Sequence, residues 1–397
     1  MKKNWEIVRL GDLCESDLGK TLNKSHDTGN FHPYLCSINV LWDKIDLSTL
    51  KEARFNENEI EKYSVQKGDL LICEGGDIGR CAIWEKEESF LYQNAIHRVR
   101  FNDRINPRYC LYYLKHLKDT GTLDSRYGKG VTIKHLVKSS LHSIPIPVPP
   151  LPVQARIVDE LDCLQGILSK KRQQLAEYHS LAQAIFHQMF GDPVVNEKGW
   201  EMKRLGEVTN KIGSGATPKG GDKSYKKEGI SLIRSLNVFN SYFKEENLAH
   251  IDNEQALALK NVTIEQGDIL LNITGASVAR CCIVPKHILP ARVNQHVSII
   301  RLNDSANQVF LAAQLTNTHM QEKILNISRE KAATREALTK SQIEEFSIIL
   351  PPLPLQQSFA ARIAAIDSQR EQLAASIREL ETLLACRMET LLNCPQA

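Results

Sequence analysis

The chain has 397 residues, 42% hydrophobic and 24% charged, with a formal net charge of +3. That length fits two or three domains, and the composition is that of a folded globular protein rather than a disordered one. No apolar run approaches a membrane span, and the opening MKKNWEIVRL has no apolar core behind its lysines, so neither a membrane anchor nor a signal peptide is expected. The ten cysteines show no CxxC spacing, and Cys281 and Cys282 are adjacent. Reduced, mostly buried thiols in a cytoplasmic protein are expected, with no metal site. The net charge is too small to announce a nucleic-acid partner. The slight basic excess of residues 1–150 and 200–350 fits DNA contact and an ordinary solvated surface equally.

In chain order, the first element is WEIVRLGDL from Trp5, which returns as WEMKRLGEV from Trp200. QKGDLLICEGGDIGRCAI, from Gln66, returns as EQGDILLNITGASVARCCI, from Glu265, and PPLPVQ, from Pro149, returns as PPLPLQ, from Pro351. The chain is thus one module written twice, roughly 200 residues apart. Each copy opens as a turn-rich region of short strands, such as FLYQNAIHRVRF from Phe90 and ILLNI from Ile269, punctuated by Gly, Asn and Asp. Each closes with a proline strap, IPIPVPPLP from Ile144 and IILPPLP from Ile348, expected to act as a stiff hinge.

After each strap the period becomes helical. Ile157, Leu161, Leu164, Leu168, Lys171, Leu175, Tyr178, Ala182, Ile185 and Met189 follow a strict 4-3 spacing. So do Phe359, Ile363, Ile366, Arg370, Leu373, Ile377, Leu380, Leu384, Arg387 and Leu391. Such a stripe is the seam of a coiled-coil pair roughly 50 Å long, with each helix the obvious partner of the other. Burial of each helix against its own globular domain is the alternative. The interface residues expected from the stripes are Leu161, Leu164, Leu168, Lys171, Leu175, Ile366, Arg370, Leu373, Ile377 and Leu380. The first helix should stop at Gly191-Asp192-Pro193. The fold class is therefore α+β. Globular domains at 1–150 and 193–350 alternate with helical regions at 151–192 and 351–397. An antiparallel helix pair would relate the two domains by a pseudo-two-fold.

No catalytic centre can be assigned. Gly19-Lys20-Thr21 has the tail of a phosphate-binding loop, but Cys14 stands where its first Gly belongs. Gly213-Ser214-Gly215 lacks a cofactor context, no Asn-Pro-Pro-aromatic signature occurs, and the histidines show no metal spacing. Two polar loops stand out instead. KIGSGATPKGGDKSYKK, from Lys211, supplies glycine N–H groups, hydroxyls and ammonium groups of the kind that hold phosphate oxygens, and DLGKTLNKSHDTGN, from Asp17, is its counterpart. A flexible surface loop is the plain alternative. YGKGVTIKH, from Tyr127, and SREKAATREALTK, from Ser328, set further basic residues before each strap. The candidate DNA contacts are Lys20, Thr21 and Lys24 in the first copy and Lys211, Ser214, Thr217, Lys219 and Lys223 in the second. Arg80, Lys129, Lys134, Arg280, Lys331 and Arg335 form a second tier.

On these residues the chain resembles the specificity subunit of type I DNA restriction-modification systems. GSGATPK at Gly213–Lys219 is similar to the Ser-Gly-Gly-Thr-Pro loop of that family's target recognition domains, with Ala216 where a second Gly is common. The GDLL and GDIL runs and the PPLPVQ and PPLPLQ straps match the family's pattern in order, twice. The resemblance implies two target recognition domains, each reading half of a split, asymmetric duplex DNA site, and helices that set the spacing. It implies two modification subunits carrying S-adenosylmethionine, which methylate a flipped adenine. It also implies two restriction subunits using ATP and Mg, and no chemistry or cofactor in this chain. The rival reading is a tandem-repeat coiled-coil adaptor with no nucleic-acid role. On the first reading a helix of about 33 residues places half-site centres about one DNA turn apart, and four residues inserted after Gly191 should widen the spacer.

Overall fold

The computed structural model describes residues 5–23, 27–131, 134–329 and 336–393. The chain forms two compact units, residues 1–172 with 375–397, and residues 173–374. Both mix helix and sheet, and each contains a stretch of both long helices.

In the first unit a four-stranded antiparallel sheet runs in the order Cys14–Leu18, Ile96–Phe101, Leu70–Cys73, Cys81–Ile83. Leu70–Cys73 lies inside this sheet and all four of its residues are buried, so an unbroken apolar run replaces alternation there. A second four-stranded sheet joins Lys51–Phe55, Asn30–Leu35, Phe90–Tyr92 and Ser64–Val65. Leu35, Val40, Leu71, Trp84, Tyr92 and Ile96 belong to one buried cluster of this unit. The second unit repeats the first sheet as Thr209–Ser214, Val297–Leu302, Ile269–Asn272, Cys281–Ile283. Its other sheet keeps three strands, Ala249–Ile251, Ile230–Ile233 and Ala291–Val293.

The repeated motifs turn out to be buried polar fasteners. The Asp of each Gly-Asp-Leu-Leu-like run is about 1% exposed. Asp69 accepts two 2.8 Å bonds from the Arg100 guanidinium and one from the Gln66 N–H. Asp268 does the same with Arg301 and the Glu265 N–H. The glutamine that ends each strap is fully buried. Gln154 Oε1 accepts the Asn106 N–H at 2.7 Å, while its amide donates to the Arg104 and Pro149 carbonyls. Gln356 repeats this with Asn307 and Pro351. Asn106 and Asn307 in turn cap the helices Pro107–Asp119 and Gln308–Leu315. A buried amide bonded at both its oxygen and its nitrogen is costly to disturb, so these positions fix the junction of sheet, capped helix and long helix.

The straps are not hinges. Pro145–Val148 pairs antiparallel with Glu6–Arg9, and Ser347–Ile349 with Met202–Arg204. Proline is tolerated in such a two-stranded edge ladder. Tyr109 and Tyr113 donate their hydroxyls to the Pro147 and Pro145 carbonyls, and Ile144 and Ile146 are buried, so the first strap is welded to its domain.

The two long helices, Leu151–Phe190 and Leu353–Leu392, are 40 residues each. They run antiparallel in both units. In the first, Arg387 pairs with Glu160 and Arg172 with Glu381. In the second, Phe186 and Phe190 pack with Phe359 and Ile363. The seam follows the expected stripe at Leu161, Leu168, Ile366, Leu373 and Ile377, all buried. It leaves the stripe at the ends: Phe186 and Phe190 are buried where Ile185 and Met189 are half-buried, and Met388 and Leu392 where Arg387 and Leu391 are half-buried. An α-helix drifts against a strict 3.5-residue repeat, and the aromatic side chains also pack on Phe310 of the domain. The first helix ends as expected, with Gly191 at φ +76°. The following turn is locked: the Glu197 carboxylate accepts the Asp192 N–H, and Trp200 Nε1 donates to the Phe190 carbonyl. Residues inserted after Gly191 would therefore disturb a tied turn rather than lengthen a helix.

Candidate nucleic-acid interface

Loops far apart in sequence meet at the same end of the four-stranded sheet in each unit. In the second, the loop after Thr209–Ser214 crosses the Asn294-Gln295-His296 turn, where Gly215 N–H donates to the Asn294 carbonyl at 3.1 Å. A Cβ on Gly215 would lie 1.7 Å from the Val293 carbonyl oxygen, so only glycine permits this crossing. The loop after Ile269–Asn272 joins at Ile273, whose N–H donates to His296, and Gly275 N–H ties it to Glu336 in the loop before the strap. The first unit repeats the construction. A Cβ on Gly19 would lie 2.3 Å from the Tyr92 carbonyl oxygen. Asn94 N–H donates to Lys20, Glu74 N–H to Ala95, and Leu136 N–H to Glu74.

The second unit lays four polar side chains across this meeting point. Thr217 Oγ1 donates to Gln295 Oε1. Gln295 Nε2 lies 3.2 Å from His296 Nε2, and His296 Nδ1 lies 2.6 Å from Thr274 Oγ1. Gln295 is exposed, and Thr217, Thr274 and His296 are half-buried.

The expected contact residues divide. Thr21, Lys129, Ser214, Lys219 and Lys223 are exposed in or beside these loops. Lys20 is not available: its ammonium is buried and paired with Glu59 at 2.8 Å and Asp27 at 3.2 Å. Burial alone would lower its pKa, but the hydrogen bonds and charges of Glu59 and Asp27 outweigh that and hold it above the ordinary lysine value. The Lys211 and Lys134 ammonium groups are turned to the Asn261 and Asp124 carbonyls. Arg80 donates to the Ser37 carbonyl, and the Arg280 guanidinium sits 4.8 Å from the Phe239 ring, so both brace the short turns beside the sheet rather than the loop cluster. Lys24, Lys331 and Arg335 lie outside the described residues. Of the helix positions, Leu164, Lys171, Leu175, Arg370 and Leu380 are half-buried. Arg370 pairs with Asp367 one turn away. The apolar stripe is thus largely covered by the chain itself. Among the described residues no acidic, histidine or cysteine group could hold a metal ion, and no helix is long and apolar enough to cross a membrane.

Residues 2–178 and 197–382 match the family model described as type I restriction modification DNA specificity domain. The chain belongs to this family. It is a specificity subunit of a type I restriction-modification system, built from two such domains. It is 24% identical to the MjaVIII specificity subunit of Methanocaldococcus jannaschii over 96% of this chain and 92% of that one. With the EcoBI specificity subunit of Escherichia coli it shares 23% identity over 81% and 72%. Two solved structures share the fold. A type I restriction-modification S subunit from M. genitalium gives a TM-score of 0.57 at 16% identity, over 98% of this chain and 96% of that one. A chain from a study of complex assembly in the type I system gives 0.62 at 18%, over 98% of each.

In this specificity subunit the turn at Asn94 and Gln295 escaped the sequence reading. FLYQNAIHRVRF reads as continuous strand, yet Phe90–Tyr92 and Ile96–Phe101 belong to different sheets, and Gln93-Asn94-Ala95 is the turn between them. The usable signal was a Gln-Asn pair and an Asn-Gln-His triplet at matching places in the repeat.

Proposed function

We propose that this specificity subunit reads a bipartite, asymmetric duplex site, one half per domain, through the loop cluster at the end of each four-stranded sheet. The long helix pair sets the spacing of the halves and docks the modification subunits. The observation that carries this reading is the convergence, in both domains, of the polar loops on one sheet end, where exposed hydroxyls and lysines surround a fixed turn. Hydroxyls and lysines of this kind hold phosphates and set register, while side chains that reach the base edges in the groove read sequence. S-adenosylmethionine belongs to the modification subunits and ATP with Mg to the restriction subunits; this chain supplies recognition and no chemistry.

Methylome sequencing of a host carrying the complex tests the proposal. Replacing residues 1–150 with the matching segment of a relative changes one half-site and leaves the other intact. Inserting one heptad into each long helix, between residues 172 and 173 and between 374 and 375, lengthens both by about 10 Å. The spacer then widens by about three base pairs with both half-sites kept. A swap that changed both halves, or a heptad variant with an unchanged spacer, would refute the reading.

A further inference from the structure

We infer that Gln295 and His296 are base-reading residues of the second domain, and that Asn94 and Ala95 hold the same places in the first. This rests on the proposed reading of DNA by the loop clusters and names which side chains there carry sequence information.

The equivalence comes from backbone pairing. His97 lies opposite Leu18, and Ser298 opposite Ser214. Ile96 lies opposite Cys73, and Val297 opposite Asn272. Counting back one and two residues sets His296 on Ala95 and Gln295 on Asn94. The turn is held by main-chain bonds, from Gly215 to Asn294 and from Ile273 to His296, with Gly215 pressed against the Val293 carbonyl. Neither the Gln295 nor the His296 side chain fills the core beneath. What these side chains do make is the partly exposed chain from Thr217 to Thr274, which pre-sets a planar amide and an imidazole side by side. A planar amide presents a donor and an acceptor together, the pattern that matches the N6 and N7 edge of adenine, and an imidazole offers one donor or acceptor. Both side chains are short and set between loops whose lysines can hold the backbone, which is where base contacts rather than phosphate contacts belong. The first domain offers a shorter amide at Asn94 and a methyl group at Ala95. Two domains with one scaffold therefore read different bases.

The test uses the complete complex with its modification subunits and a library of duplexes randomised in both half-sites, scored by adenine methylation. Gln295→Ala should lose roughly 10- to 100-fold in discrimination at a position of the second half-site, where it had read the base. The first half-site and the salt dependence of binding should not change. The double variant Gln295→Asn with His296→Ala, which carries the first domain's side chains, should alter the preferred base rather than abolish binding. The reverse pair, Asn94→Gln with Ala95→His, should alter the first half-site alone. Melting temperatures near wild type confirm folding, and the reciprocal pair keeps the test open if one variant is unstable. An unchanged half-site in all variants overturns the inference while leaving the domain reading in place. A uniform loss on every sequence with a lower salt slope also overturns it, by making these phosphate contacts. A wild-type complex with no site-specific methylation overturns both.

Discussion

The two units solve one packing problem in opposite ways. In the first, the space between the helix Pro107–Asp119 and the long helix is closed by charge. Arg108 forks onto Asp162 at 2.6 and 2.8 Å and onto Asp43 with two 2.9 Å bonds, while Tyr112 donates to Asp162. In the second, Val309 follows the capping Asn307 where Arg108 follows Asn106, and Ala313 stands for Tyr112. The space there is an apolar cleft of about 680 Å³, lined among others by Val309, Ala313, Phe186, Phe359 and Ile363. Yet Asp69 and Asp268, Gln154 and Gln356 are bonded alike in both units. Buried side chains that satisfy backbone N–H and C=O groups are retained in both copies. Groups that only fill a gap have diverged.

The largest effects should come from the shared fasteners. Asp69→Ala and Asp268→Ala each remove a buried carboxylate that accepts a main-chain N–H and a guanidinium, and each should cost about 3 kcal/mol by denaturant unfolding. Costs differing by more than about 1 kcal/mol would break the equivalence. Next is an asymmetry in pH. His97 is buried, with Nε2 2.7 Å from the Leu136 carbonyl oxygen, and Ser298 stands in its place in the second unit. Burial pushes the ring from an ordinary 6.5 down to about 4. Between those values the unfolded chain takes up a proton that the folded chain refuses, so stability falls as pH drops from 6.5 toward 4 and is untouched above. The loss should reach about 2 kcal/mol by pH 5, and the difference between wild type and His97→Ser across this window measures it; a constant difference would remove the assignment.

Smaller again is the clamp. Arg108→Leu removes partly exposed pairs and supplies an apolar filler, so a cost of about 1–2 kcal/mol is expected, discounted for solvent screening. A double-mutant cycle with Asp162→Ala should recover part of it as coupling, the rest belonging to Asp43. The smallest effect should be that of Lys219→Ala, which leaves folding unchanged and lowers the salt slope of duplex binding by about one. A slope equal to wild type would take Lys219 off the phosphate-contact list.

Much of this architecture was legible in sequence because it is periodic. The repeat and the two long helices are patterns of spacing, and spacing survives without coordinates. Side-chain availability is not. Lys20 looks like a loop cation until Glu59, 39 residues later, folds against it. Asp69 looks like part of an apolar strand motif until Arg100, on the neighbouring strand, closes on it. The same limit hid the turn at Gln295, since its importance lies in which loops cross it. The straps misled for a different reason: proline excludes helix, but the sequence does not say whether the extended run that results is free or paired.

The crossing at Gly19 and Gly215 has a consequence for how such a protein can change. Because the turn at Gln295 and His296 hangs on main-chain atoms and on the buried Asn294 amide, its two outward positions are decoupled from folding, much as a display scaffold is from its cargo. Randomising Gln295 and His296 together should give a library in which most members fold and many differ in what they select. A side chain at Gly215 would have no such freedom, since it would prise the turn from its neighbouring loop. New target sequences should therefore arise by exchanging outward side chains around an immovable glycine, a route short enough for single substitutions to travel.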